Sequence, residues 1–239
     1  MRVLVTGCAG FIASHLVDLL VDEGHAVRVL DALLPSTHRS RPDYLNPAAE
    51  LVVDNGSHDD SAAVAARLGA QVVSEPRRGF GAACWAGLKA ARSELVCFMD
   101  CDGSLDPGQL PAVVDPVAAG ELELCLGTRR AQPGAWPAHA RLANRALAWQ
   151  LRRRVGVVVT DLGPMRCASR TGLRELGLRD RAFGWPLEMV VQAAAAGWRV
   201  GEAPVAYRPR VGGTSKVSGS VRGSLCAVRD MSGVLRSLA

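Results

Sequence analysis

The chain has 239 residues, of which 49% are hydrophobic and 5% aromatic, and carries a net charge of +5. That suits one large α/β domain or two small ones with a core of Ala, Val and Leu. No apolar run reaches the roughly 18 residues that a bilayer span needs, and the run Val3–Val5 breaks at Thr6-Gly7 too early for a signal peptide, so a cytoplasmic protein is expected. The seven cysteines form no CxxC pair and the histidines no HExxH, which points to thiols buried as small hydrophobes and away from a zinc site. Only Lys89 and Lys216 are lysines among the 28 basic residues. From Leu124 to Thr160 there are seven arginines and no carboxylate. Such a stretch is an ordinary solvated face, or it meets phosphate-bearing ligands or an anionic membrane surface. Nucleic acid is not expected among the partners.

In chain order, Val3–Val5 reads as a buried strand and Phe11–Val21 as a helix stopped by Gly24. Val27–Leu30 is a second strand, and Leu33–Pro47 a loop with three prolines. Strands follow at Leu51–Val53, Gln71–Ser74, Leu95–Met99 and Leu122–Gly127. Helices are expected at Ser61–Leu68, Gly81–Arg92, Pro107–Ala119 and Ala138–Arg154. Beyond Asp161 the pattern gives helices at Gly172–Leu176 and Pro186–Gly197, a strand at Val200–Tyr207 and a terminal helix at Val217–Leu238. Alternating strands and helices imply an α/β protein with a three-layer, mostly parallel sheet.

Gly7-x-x-Gly10-x-x-Ala13 leaves a strand and opens a helix, where glycines let backbone N–H groups approach a pyrophosphate. Asp31 ends the next strand, where an acid can bind a ribose hydroxyl. Residues 1–50 resemble the start of NAD-dependent epimerases and dehydratases of the extended short-chain dehydrogenase family. That resemblance implies NAD binding through Gly7, Gly10 and Asp31 on a Rossmann-like βαβ unit. Those enzymes also need a Tyr-x-x-x-Lys pair. Neither Tyr44 nor Tyr207 has lysine four residues on, so hydride transfer is not expected.

The second half carries a different pattern. Asp54-Asn-Gly-Ser57 stands at a strand end, where ligands bind in open α/β sheets. Asp54 can accept from a base or ribose; Asp59 can do the same or cap the following helix. Arg77-Arg78-Gly79-Phe80-Gly81 can approach a diphosphate or serve as a tight connection. Asp100-Cys-Asp102 leaves a hydrophobic strand, and two carboxylates so spaced can both reach one hard divalent cation. The alternative is a solvated acidic turn.

Over about residues 50–235 a series of motifs resembles the family 2 glycosyltransferases of GT-A fold, especially the polyprenyl- or dolichyl-phosphate sugar synthase-like branch. They are Val53-Asp-Asn-Gly-Ser57, Gly79-x-Gly81-Ala-Ala83, Phe98-Met-Asp-Cys-Asp-Gly-Ser104 with Asp106-Pro107, Gly127-Thr-Arg129, Asp161-Leu-Gly-Pro164 with Arg166, Gly184-Trp-Pro-Leu-Glu188, Glu202-x-Pro-Val205 and Arg210-x-x-Gly213-x-Ser215-Lys216. The resemblance implies a transferase domain over residues 51–239, with Mg²⁺ or Mn²⁺ on Asp100 and Asp102 and Asp161 and Glu188 lining the acceptor side. Arg129, Arg166, Arg210 and Lys216 would then meet phosphates. The donor would be a nucleotide-diphospho-sugar. A hydroxyl acceptor needs a base, Asp161 or Glu188; a lipid phosphate needs only cations, and would bring the protein to the membrane periphery. The family's opening strand and Pro-x-x-Asn-Glu-like loop are replaced by the dehydrogenase-like stretch, as in a fusion, and weak donor binding is expected from that exchange; the alternatives to an impaired transferase are an NAD-binding epimerase-type protein and a catalytically inactive nucleotide-binding fusion.

Overall fold

The computed structural model describes residues 2–6, 26–30, 51–55, 62–63, 66, 71–100, 104–210 and 221–236. Strands β1 (Arg2–Thr6) and β2 (Ala26–Leu30) pair in parallel, Val3 opposite Val27. Strands β3 (Leu51–Asp54) and β4 (Gln71–Ser74) pair the same way. The third group is four-stranded, in the order β5 (Leu95–Phe98), β7 (Arg166–Ser169), β6 (Leu124–Ala131), β8 (Val200–Tyr207). Strand β2 runs beside β3 and β1 beside β5. The strands therefore follow one another in the order β4, β3, β2, β1, β5, β7, β6, β8.

The pairings are mostly parallel, as expected, and the sheet is mixed only through β7, which runs antiparallel to both β5 and β6. Sequence reading missed this strand altogether. It is four residues long, Arg-Cys-Ala-Ser, with a polar residue at each end and no alternation, and it runs straight into the next helix. Its conformation comes from the two strands beside it, not from propensity. Strand β6 also continues past Gly127 to Ala131, since β8 pairs with it as far as Tyr207.

Around the sheet lie α1 (Phe80–Ala90), α2 (Leu110–Ala118), α3 (Ala138–Val155), α4 (Arg170–Glu175), α5 (Trp185–Ala195) and α6 (Val221–Arg236). Helix α3 stops at Gly156, whose φ of 73° is the left-handed conformation that ends helices. Helix α4 starts on Ser169, whose hydroxyl accepts from the Gly172 N–H at 3.1 Å. Pro186 opens α5, where no N–H is needed. The core centres on Trp185, buried edge-on against Trp85 at 6.0 Å and Phe98 at 6.3 Å. Cys97, Cys167 and Cys125 stand opposite one another across β5, β7 and β6. They and Cys84 are buried and free, as small hydrophobes. The helix expected at Phe11–Val21 lies outside the described residues, as does most of the one at Ser61–Leu68.

Candidate active site

Asp54, Asp100 and Arg129 stand at or near the C-terminal ends of β3, β5 and β6, as ligand-binding residues do in open α/β sheets. Asp100 follows β5 by two residues and is half-buried. The chain beyond it is fixed to the end of β8. Leu105 bridges to Tyr207, Arg208 N–H donates to Ser104 O at 2.7 Å, and the Arg208 guanidinium meets Asp106 at 3.1 Å. Gln109 Oε1 accepts from Ala206 N–H at 2.6 Å. These bonds bring the segment from Ser104 to Gln109 alongside the end of β8.

There Asp161 and Arg129 form a buried pair. The Asp161 carboxylate accepts three bonds from Arg129: from its backbone N–H at 2.8 Å, Nε at 2.9 Å and Nη2 at 2.6 Å. The Asp161 loop is itself held. Glu202 accepts from the N–H groups of Thr160 and Asp161 and from the Thr160 hydroxyl. Asn144 of α3 donates to Thr160 O and accepts from Leu162 N–H. A close crossing explains the nearby glycines: a Cβ on Gly163 would fall 1.8 Å from Gly127 O. Only glycine lets the 161–164 loop lie on β6.

Arg166 is buried. Its Nη1 donates to Pro186 O at 2.8 Å and its Nη2 to Gly163 O at 2.6 Å. Burial pushes this guanidinium down to about 10, while the nearby carboxylates of Asp100 and Asp161 favour its charged form and Arg129 opposes it. It stays a cation at neutral pH, and its charge lies within reach of both Asp100 and Asp161. Arg129 stacks on Trp136 at 3.7 Å and approaches Tyr207 at 5.4 Å. Beside it opens a cavity of about 350 Å³ lined by Arg129, Trp136, Arg141 and the 131–134 turn. Arg129, Arg166, Asp100 and Asp161 thus lie near one another.

Glu188 sits in the first turn of α5 and is buried. Its carboxylate accepts from Arg179 N–H at 2.9 Å and Asp180 N–H at 2.8 Å. Asp54 is half-buried at the end of β3. Next to it, Asn55 donates to Glu75 O and Arg77 O and accepts from Gly79 N–H. The N–H groups of Gly81 and Ala82 at the start of α1 donate to Ala182 O and Arg181 O. The Arg77–Gly81 turn is in this state a tight connection. Gly79, at φ 149°, would place a Cβ 2.2 Å from Arg181 O. Arg210 is exposed three residues beyond β8. Gly7, Gly10, Asp31, Asp59, Asp102 and Lys216 lie outside the described residues.

Among the described residues, no group of three or more His, Cys, Asp and Glu is arranged to hold a metal ion. A hard divalent cation on a nucleotide site does not require one, since one or two carboxylates suffice when substrate phosphates supply the rest. Asp100 fits that role as an oxygen donor at the strand exit. Sequence reasoning gave no site role to Asn55, Trp136, Asn144 or Tyr207. Asn55 within the Val53-Asp-Asn-Gly-Ser57 motif and Asn144 within a basic helix were the available signals; Trp136 had none, and Tyr207 was weighed only against the Tyr-x-x-x-Lys pattern.

The model for glycosyl transferase family 2 matches residues 31–175. It begins ahead of the expected boundary at residue 51. The chain belongs to glycosyl transferase family 2. It is 52% identical over 181 residues to an uncharacterised glycosyltransferase of Mycobacterium tuberculosis, covering 75% of this chain and 83% of that one. It is 29% identical over 206 residues to the undecaprenyl-phosphate mannosyltransferase of Micrococcus luteus, covering 80% and 84%. Among solved structures, glucosyl-3-phosphoglycerate synthase of M. tuberculosis with uridine diphosphate matches at a TM-score of 0.65 and 22% identity, covering 99% of this chain and 79% of that one. The same synthase with Mn²⁺, UDP-glucose and phosphoglyceric acid matches at 0.63 and 21%, covering 98% and 79%. The protein has the α/β fold of GT-A type, and it is a glycosyltransferase. No described helix is long and apolar enough to cross a membrane.

Proposed function

We propose that the protein transfers a sugar from a nucleoside-diphosphate sugar to a phosphate acceptor, in the manner of a polyprenyl-phosphate sugar synthase. The observation that carries this reading is the state of the two candidate bases. The Asp161 carboxylate is held by three donors of Arg129, and Glu188 by the backbone of Arg179 and Asp180. Both act as positioning residues, Asp161 for Arg129 and Glu188 for the turn that supports α1. A hydroxyl acceptor would need one of them to take its proton. A phosphate oxygen is already an anion and needs cations to place it, and Arg129 and Arg141 line the cavity that can receive it.

Asp100, with Asp102, would hold Mg²⁺ or Mn²⁺. When bound, that ion neutralises the departing diphosphate as a Lewis acid. Asp54 at the end of β3 would accept from the nucleoside. Arg166 balances the charge of Asp100 and Asp161 from beneath and, through Pro186 O, ties β7 to the start of α5. Inversion follows if the acceptor oxygen attacks from the cavity side, opposite the diphosphate. The solved neighbour's UDP-glucose and Mn²⁺ and the mannosyltransferase's lipid phosphate support this choice of donor, metal and acceptor. The NAD reading of Gly7, Gly10 and Asp31 finds no support in these relatives, and the catalytic Tyr-x-x-x-Lys pair is missing from the sequence.

The test is calorimetry with UDP and with GDP, each with and without Mn²⁺, beside NAD. Mn²⁺-dependent binding of one nucleotide is expected, and it should vanish in Asp100→Asn and Asp102→Asn. Equal binding by those variants would remove the metal assignment, and binding of NAD alone would remove the donor assignment.

A further inference from the structure

Helix α3 buries only Asn144, Ala148 and Leu151. Its opposite face carries Leu142, 68% exposed, and Trp149, 56% exposed. These two stand seven residues apart, two helical turns, and so point the same way. Val158, just past the helix, is 67% exposed. Arg141, Arg145, Arg152 and Arg153 surround them, all exposed, and Arg153 stacks on Trp149 at 5.4 Å. The sequence from Leu124 to Thr160 contains no carboxylate.

We propose that this face of α3 is a docking surface for an anionic lipid bilayer. Leaving Leu and Trp in water is unfavourable, and a helix with such residues among arginines lies in a membrane interface with its apolar side down. Tryptophan is at home at headgroup depth, and the arginines meet the negative surface potential. A second copy of the chain fits worse, because paired α3 helices would set like charges opposite one another. Location supports the same occupant. Arg141, in the first turns of α3, also lines the 350 Å³ cavity beside Arg129. A helix lying on the bilayer would hold that cavity at headgroup level. The idea deepens the lipid-phosphate reading, but its test is separate.

The full chain is floated with vesicles of phosphatidylglycerol and phosphatidylcholine, and with phosphatidylcholine alone. Binding is expected only to the anionic vesicles, weakening with salt. Leu142→Ser with Trp149→Ser should reduce it more than tenfold. Arg145→Gln and Arg153→Gln should each reduce it about fivefold. All four positions are exposed, so an unchanged melting temperature shows that the fold is kept. Variants that float like the parent, or equal binding to neutral vesicles, would overturn the proposal. So would a parent dimer that the Leu142/Trp149 variant turns into monomer. Vesicle binding without sugar transfer to a short, detergent-soluble polyprenyl phosphate leaves docking standing and removes the lipid acceptor; transfer without vesicle binding does the reverse.

Discussion

Replacing Asp161 by alanine should destabilise the protein more than replacing both partners of the Arg129–Asp161 pair. The carboxylate is almost fully buried, and the Arg129 side chain is 14% exposed. Removing the acid strands a guanidinium and a backbone N–H that together made three bonds. It also leaves Arg129 facing the buried Arg166, whose charge it already opposes. Breaking a buried pair from one side costs about 3–5 kcal/mol. Arg129 keeps its stacking on Trp136 and an opening to the cavity, which favours the lower end, about 3 kcal/mol. In a chain of this size each kcal/mol lowers the melting temperature by about 2–4 °C, so a fall of about 6–12 °C is expected. Arg129→Met combined with Asp161→Ala should recover at least half of that loss, since no unpaired charge remains. The assay is thermal unfolding by circular dichroism, run as a double-mutant cycle. A fall below about 3 °C for Asp161→Ala, or no recovery in the double variant, would refute the reasoning.

Gly163→Ala should prevent correct folding or lower the melting temperature by more than any Arg129 variant, because its Cβ would meet Gly127 O at 1.8 Å; soluble yield and thermal unfolding decide it. Glu188→Gln keeps one acceptor for the Arg179–Asp180 turn and should cost about 1–2 kcal/mol, with kcat falling less than tenfold. A loss of many orders of magnitude in kcat at unchanged stability would make Glu188 a base after all. Cys84 is pushed up to about 12 by burial and Cys125 to about 11, so neither should be alkylated by iodoacetamide at pH 8 before unfolding, while half-buried Cys226 should react; mass spectrometry of the labelled peptides checks this. The Arg199 side chain holds the Glu123 carboxyl below its usual 4.5. A depressed acid stabilises above that value and ceases to as pH falls through its folded value. The small melting difference between the parent and Glu123→Gln should therefore persist at neutral pH and close below pH 4.5.

Long periodic segments were legible in the sequence. The apolar runs of β5 and β8 and the helices α1, α3 and α5 stand within a few residues of their expected places, because period and capping residues act locally. Strand β7 was not legible, since its conformation is imposed by neighbours far away in sequence. At the site, the motifs singled out Asp100, Arg129, Asp161 and Arg166, which the fold brings near one another. What the motifs do not reveal is how they are used. That Asp161 is consumed by Arg129, Glu188 by backbone, and Arg166 by two carbonyls depends on distances of tenths of an ångström. The roles of Asn144 and Asn55 were hidden for the same reason, as each acts on a loop some twenty residues away.

The most direct measurement is sugar transfer itself. The protein is incubated with radiolabelled UDP- and GDP-sugars, Mn²⁺ and a short polyprenyl phosphate in detergent, beside a matched polyprenyl alcohol. The expected result is a labelled lipid-phosphate sugar formed only with Mn²⁺ and only from the phosphate, lost in Asp100→Asn. Transfer to the alcohol at a comparable rate, or product formation undiminished by chelator, would contradict it.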